Sequence, residues 1–425
     1  MNLTLSTFFY LWYGTPSSDG CWSHWNHSVL PHWTPSVSAS YPTIGTSFDP
    51  SSGHLHSHYY PKGGPYSSSN STVLLHQFST MAAHRIQVAI LSWWGRPSLP
   101  STHDTQGVST DSHLSLAISA ASSSGVKVAF HMEPYEGRNI TTFIEDVEYL
   151  LDRYGDEGAL HRVGGKPVFY VYDSYHIPYP DWKAALGELR RVGFFYGLVL
   201  TKEDMRGVVE AGFGGGYTYF AQDGFTAGSN SASWPKLCSR LRAGGLKCDI
   251  SVGPGYNDEK IRPWNSLGSV ERSGGSFYVD RLNRALSVRP DGVSITSYNE
   301  WGEGTQIEPA GEYEGVYGGE YGEPYDGLYL GLTKKIVTRW RRDNEGEEGE
   351  EEGVREGEEG GEGAGGGGPG RDLILTSGLG DTVPEGRQLP LEGRLEGEPA
   401  GKVRRIGVIR QGGTERGVHC GFNES

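Results

Sequence analysis

Glu300 and Glu303 stand in the run Tyr298-Asn299-Glu300-Trp301-Gly302-Glu303. Two carboxylates close in space can divide acid and base work. Burial and a like-charged neighbour keep one protonated while the other stays ionised. Glycoside hydrolases use such pairs at roughly 5–5.5 Å when they retain configuration and roughly 6.5–9.5 Å when they invert it. Two glutamates three residues apart at a strand-to-loop turn can reach the shorter separation. In a loop, glutamates at this spacing are often merely solvated. The adjacent aromatic rings and Asn299 favour the catalytic reading.

Similar residues close other apolar runs: Trp93-Trp94, His131-Met132-Glu133-Pro134-Tyr135, Tyr172-Asp173-Ser174-Tyr175-His176 and Tyr217-Thr218-Tyr219. Tryptophan and tyrosine faces stack on the CH faces of sugar rings, and carboxylates, Asn and His bond the hydroxyls. Arg262 follows a further run and suits a structural ion pair or a clamp on a substrate hydroxyl equally well. His24, His27 and His32 loosely resemble metal-ligand spacing but lack a carboxylate pattern, so they read as local hydrogen bonds or sugar contacts, not zinc. His54, His56 and His58 lie in a Ser/Gly-rich loop and read as solvated. There is no GxSxG, Walker A or HExxH motif, and no expected strand is followed by a GxGxxG that opens a helix; neither cofactor nor metal is expected.

The elements that must position these groups follow one pattern. Short β-branched and aromatic runs alternate with longer segments of helical period. The strands are expected at Phe8–Gly14, Gln87–Trp94, Lys127–Tyr135, Pro167–Asp173, Phe194–Thr201, Gly215–Phe220, Lys247–Gly253 and Gly292–Trp301. The helices are expected at 72–85, 110–125, 140–155, 179–193, 202–212, 231–244, 276–290 and 325–343. Thr201 with Asp204 forms a capping-box pattern, and Gly193 and Gly212 suit helix stops. Eight such units predict an α/β chain folded as a (β/α)8 barrel, with a doubly wound sheet as the alternative. In a barrel, long loops at 15–71 and 302–324 fall on the face where the strands end, and active sites lie there.

Composition sets the limits of this domain. All 11 Trp and 24 Tyr precede residue 344, and Phe422 is the one aromatic residue after it. Residues 345–362 hold ten Glu and one Arg, which accounts for −9 of the net charge of −15. A catalytic domain at 1–343 is therefore expected, followed by a disordered acidic linker at 344–370 and a disordered tail at 371–425. The mildly acidic domain has no basic stripe, which argues against nucleic acid or an anionic membrane as partner. Met1–Tyr13 has no basic n-region, and its apolar run is too short for a signal peptide or a membrane span. Cys238 and Cys248 could pair, but free thiols are the expectation. Five sequons (Asn2, Asn26, Asn70, Asn139, Asn423) would suit a secreted protein, although some arise by chance in so Ser-rich a chain.

The motifs FYLWYGTP (9–16), HWNHSVLPHW (24–33), IGTSF (44–48), HMEPY (131–135), FYVYDSY (169–175), GGYTYF (215–220), SVGPGY (251–256), IRPWN (261–265) and SITSYNEWGEGTQIE (294–308) follow in order. In them the chain resembles glycoside hydrolase family 99, the glycoprotein endo-α-1,2-mannosidases and related bacterial endo-mannanases. The resemblance covers almost all of 1–343. It implies a retaining, endo-acting enzyme that cleaves α-1,2-mannosidic bonds of glucosylated or plain high-mannose N-glycans through a 1,2-anhydro sugar. Glu300 would act as base on the sugar's 2-hydroxyl and Glu303 as general acid/base. Glu133, Tyr172, Tyr175, Tyr219, Arg262 and Asn299 would bind substrate. Trp94 stands where the animal enzymes resemble LSWY and bacterial mannanases carry Trp, at a position associated with choosing glucose or mannose. The resemblance further implies the Golgi or secretory-pathway lumen; a monomer is expected, and a chain that begins at the first strand either lacks the family's N-terminal anchor or is incomplete at that end. A carbohydrate-binding pseudoenzyme and a mannanase acting on non-glucosylated mannan are the alternatives.

Overall fold

The computed structural model describes residues 3–99, 101–315 and 321–346. Eight strand–helix units alternate through it. They are β1 (Thr4–Phe9), α1 (Ser71–Ala83), β2 (Val88–Trp93), α2 (Leu114–Ser124), β3 (Lys127–Met132), α3 (Ile140–Tyr154), β4 (Lys166–Val171) and α4 (Tyr179–Leu189). Then come β5 (Phe194–Leu198), α5 (Lys202–Ala211), β6 (Gly215–Tyr217), α6 (Trp234–Ala243), β7 (Lys247–Val252), α7 (Ser276–Ser287), β8 (Gly292–Ile295) and α8 (Leu328–Glu345). Each strand pairs in parallel with the next, and β1 pairs with β8, Thr4 lying opposite Gly292. The fold is a closed (β/α)8 barrel.

Two apolar layers hold it. Between strands and helices lie Leu5, Phe9, Leu91, Phe130, Phe169, Phe195, Ile250 and Val293. Inside the barrel lie Phe8, Ile90, Ala129, Val168, Tyr170, Leu198 and Tyr217. Side chains alternate across each strand, so one strand supplies both layers. The expected capping box forms at α5: Thr201 and Asp204 satisfy each other's backbone N–H, and Gly212 ends the helix at φ 81°. Asn70 and Asn139, both sequon residues, cap α1 and α3 through their side-chain oxygens.

Some boundaries differ from expectation for identifiable reasons. β1 starts at Thr4, earlier than the apolar run suggests. Ser6 and Thr7 are buried, and their hydroxyls donate to the carbonyls of Val293 and Ile295 at 3.4 and 3.1 Å. The apolar Leu11–Tyr13 instead belongs to the following loop, where it is buried. α4 ends at Leu189, and Gly193 is no helix stop. It leads into β5, where a Cβ would stand 2.7 Å from the Phe195 ring. α8 runs two residues past the expected domain end at 343. The rest of the linker expected at 344–370, and the tail expected at 371–425, lie outside the described residues.

The expectation of free thiols at Cys238 and Cys248 is overturned. They form a disulfide that joins α6 to β7. The inner face of α6 packs on that strand and brings the two Cα atoms to 5.2 Å, a distance ten residues of sequence do not reveal. Among the described residues, no helix is long and apolar enough to cross a membrane.

Candidate active site

The last strand sets the glutamate pair. After Ile295 the chain turns inward, and the Ser297 hydroxyl accepts the Glu300 N–H at 2.7 Å. Trp301 is fully buried, and its indole N–H donates to Glu308 at 2.9 Å. Gly302 separates the two glutamates because nothing larger fits: a Cβ there would lie 2.8 Å from the His56 ring. The segment thus carries Glu300 and Glu303 into one cleft at the strand ends, with a cavity of about 170 Å³.

The two carboxylates have different surroundings. Glu303 accepts from the Arg262 guanidinium at 3.1 Å, and the same nitrogen bonds Asp258 at 2.9 Å. Glu300 is buried. Its Oε1 takes the Gly302 N–H at 3.2 Å, and its Oε2 has no hydrogen-bond partner among the described residues. Burial, and next the charge of Glu303, push the Glu300 carboxyl well above its ordinary range. Burial also raises Glu303, against the opposing pull of Arg262. Of the two, Glu300 holds a proton more tightly in this structure.

Trp94, Glu133, Tyr172, Tyr219 and Arg262 line the same cleft with the glutamate pair. Glu133 Oε1 is fixed by the Ser92 hydroxyl and His131 Nδ1, both at 2.8 Å. Tyr219 sits at φ 59°, a left-handed backbone uncommon for a bulky residue. The Ser251 hydroxyl accepts its N–H at 2.7 Å and steadies it there.

Two expected substrate contacts are placed elsewhere. Tyr175 lies on a short turn outside the cleft lining and is 40% exposed. Asn299 is fully buried and does not line the cleft. Its amide accepts the Tyr10 N–H at 2.8 Å and donates to the Tyr10 carbonyl at 2.9 Å and to the Tyr66 hydroxyl at 3.2 Å. Both of its polar ends are therefore engaged in joining the loop after β1 to the loop after β8.

Sequence reading did not place Tyr10, Trp12, Asp104 or Thr105 in the site, and all four line it. Tyr10 and Trp12 lie inside the FYLWYGTP motif, which was the available signal. His24 and His27 line the cleft too. His24 stacks on Trp12 with ring centres 4.1 Å apart and pairs with Asp104. Burial would raise the Asp104 pKa, but His24 and two backbone N–H groups hold it below the ordinary value. His27 is pushed down to about 3 by burial and His24, and His56 is lowered by burial and His27, so both rings are neutral. His56, expected in solvent, is buried beside Gly302, between the two glutamates.

A carboxylate pair among aromatic rings and neutral donors suits hydrolysis of a sugar linkage, and known proteins agree. The model of glycosyl hydrolase family 99 matches residues 1–342. A human glycoprotein endo-alpha-1,2-mannosidase-like protein is 39% identical over 319 residues, 72% of this chain and 68% of its own. A mouse glycoprotein endo-alpha-1,2-mannosidase is 37% identical over 323 residues, 73% and 68% of the two chains. The structure of the endo-alpha-mannosidase of that family from Bacteroides thetaiotaomicron superposes with a TM-score of 0.72 at 32% identity, covering 81% of this chain and 99% of that one. The chain belongs to glycosyl hydrolase family 99 and is a glycosidase.

Proposed function

We propose that this glycosidase cleaves internal α-1,2-mannosidic bonds of high-mannose N-glycans with retention, through a 1,2-anhydro sugar. Glu300 takes the proton of the sugar's 2-hydroxyl while that oxygen attacks C1 of the same ring. The C1–O bond to the leaving sugar breaks, and Glu303 gives its proton to the departing oxygen. Glu303 then takes a proton from water as the water oxygen attacks C1. The three-membered ring opens, and Glu300 returns its proton to O2. Two inversions at C1 give net retention.

The observation that carries this reading is the unequal pair. Arg262 holds Glu303 in place, and Glu300 keeps one carboxylate oxygen unpartnered. A 2-hydroxyl arriving at that oxygen supplies the hydrogen bond that ionised Glu300 lacks, and so favours moving the pair's proton to Glu303. Trp94 in the cleft favours mannose over glucose at the sugar beyond the cleaved linkage, hence plain high-mannose or mannan substrates. The Cys238–Cys248 disulfide fits an oxidising, secretory compartment, and we take the working unit to be a monomer.

Glucosylated and plain high-mannose glycans, incubated with the protein and weighed by mass spectrometry, test the assignment. Plain glycans should be cut faster. Glu300→Gln and Glu303→Gln should each slow cleavage by about a thousandfold while keeping glycan binding. Unchanged turnover in either variant refutes the acid and base roles of the pair. A wild type that binds glycans without cutting them leaves the pseudoenzyme reading.

A further inference from the structure

The cleft cavity of about 170 Å³ is smaller than the roughly 300–1,000 Å³ of small-molecule pockets. An oligosaccharide substrate must therefore continue beyond it. One wall runs on through Ile261 and Arg262, which line the cleft, to Pro263 and Trp264. The segment is anchored to the loop after β1. The Leu30 N–H donates to the Ile261 carbonyl at 2.8 Å, and the Trp264 indole N–H donates to the Leu30 carbonyl at 3.1 Å.

Trp33 stands on this joint. It is 72% exposed, more than any other large apolar side chain among the described residues. An isolated exposed apolar side chain needs no explanation, but this ring is braced on two sides. Its centre lies 5.0 Å from the Trp264 ring, edge to face at 81°, and 3.8 Å from His32. His32 is itself fixed: its Nδ1 accepts the Thr34 N–H at 2.9 Å, and its carbonyl accepts the Ser38 hydroxyl at 2.9 Å. A large aromatic ring held open to solvent beside a sugar cleft is a stacking surface that has already lost much of its rotational freedom.

We propose that Trp33, braced by His32 and Trp264, is an outer binding platform for the mannose chain on the leaving-group side of the cleaved bond. The side follows from Arg262, which pairs with Glu303 two residues before Trp264. The acid that protonates the departing oxygen must stand beside the leaving sugar. The platform rests on the reading of Glu303 as that acid, and the test separates the two.

Trp33→Ala, Trp33→Phe and the wild type are compared on two substrates. One is a high-mannose N-glycan and the other an activated disaccharide whose leaving group is fluoride. Trp33→Ala should raise KM for the glycan about five- to tenfold, leave the fluoride within about twofold, and leave the melting temperature unchanged. Trp33→Phe should recover most of the loss. Equal effects on both substrates, or none on the glycan, overturn the platform. So does a wild-type dimer that Trp33→Ala dissociates, because the ring then serves a second copy of the chain. A wild type that cleaves neither substrate refutes the hydrolytic reading itself.

Discussion

Two buried carboxyl groups inside the barrel, one at each end, differ in a way that marks function. Asp249 lies in the first half of β7, toward the floor, and Glu300 lies beyond the end of β8. Both are almost inaccessible to solvent, and burial raises the pKa of both, Asp249 to about 6. At Asp249 both oxygens are satisfied, by the Tyr170 hydroxyl at 2.8 Å and the Ser294 hydroxyl at 2.7 Å. At Glu300 one oxygen has no partner among the described residues. Burial and a raised pKa alone do not identify a reactive acid. Unfilled hydrogen-bonding capacity beside a cleft is what sets Glu300 apart, because such a group costs stability unless a ligand engages it.

The sharpest test of this contrast pairs the Glu300→Gln loss of activity with a melting temperature. The variant should match or exceed the wild type in stability at neutral pH, because a neutral amide replaces a carboxyl whose ionisation burial and Glu303 oppose. A large loss of stability would make Glu300 a structural residue and abolish the contrast. Glu308 is the intermediate case. Its carboxyl is pushed to about 7 by burial, yet accepts from Gln77, Tyr66 and Trp301 at 2.6, 2.7 and 2.9 Å. Glu308→Ala should lower kcat about ten- to a hundredfold with little change in KM, by loosening Trp301 beside Glu300. Glu308→Gln should restore most of it, because an amide oxygen still accepts. Equal damage from both variants would show that the charge matters and the positioning does not.

Asp249→Asn should leave activity within about threefold, since the group does not line the cleft. Its effect belongs to stability and pH. A carboxyl raised on folding from 3.8 to about 6 stabilises the fold fully below 3.8. That contribution is lost as pH climbs to 6, on the order of 3 kcal/mol in all. Denaturant titrations should show the wild type losing this increment relative to Asp249→Asn between pH 4 and 6. Parallel curves would contradict it. The smallest effect is expected at Tyr175: Tyr175→Ala should change kcat/KM by less than about twofold. A larger drop in glycan cleavage would return this exposed ring to the substrate path.

The eight units were legible because covered parallel strands read as apolar runs and their helices carry local signals, such as Thr201 with Asp204. β1 was misplaced because the hydroxyls of Ser6 and Thr7 are satisfied by carbonyls of β8, which look nothing like neighbours in sequence. Glu300 and Glu303 could be read because they lie three residues apart in one motif. In sequence Asn299 reads as a substrate contact because the partner it bonds, Tyr10, is 289 residues away. His56 looked like a loop residue in solvent, and only the folded loop shows that it lies against Gly302. Local chemistry is written in short windows, whereas the partners that orient it are set by barrel closure.

The Asn299–Tyr10 contact has a consequence for biosynthesis. It spans the seam between the first and last strands, which are made at opposite ends of translation. A chain emerging from the ribosome can form most of its strand–helix units early, but such distant pairing comes late. Tyr10 and Trp12 wait on one side of the seam, and both glutamates arrive on the other. On the proposed roles of the pair, hydrolytic competence appears in one step, when the barrel closes. On that same proposal, a nascent or truncated chain short of β8 has no partial activity.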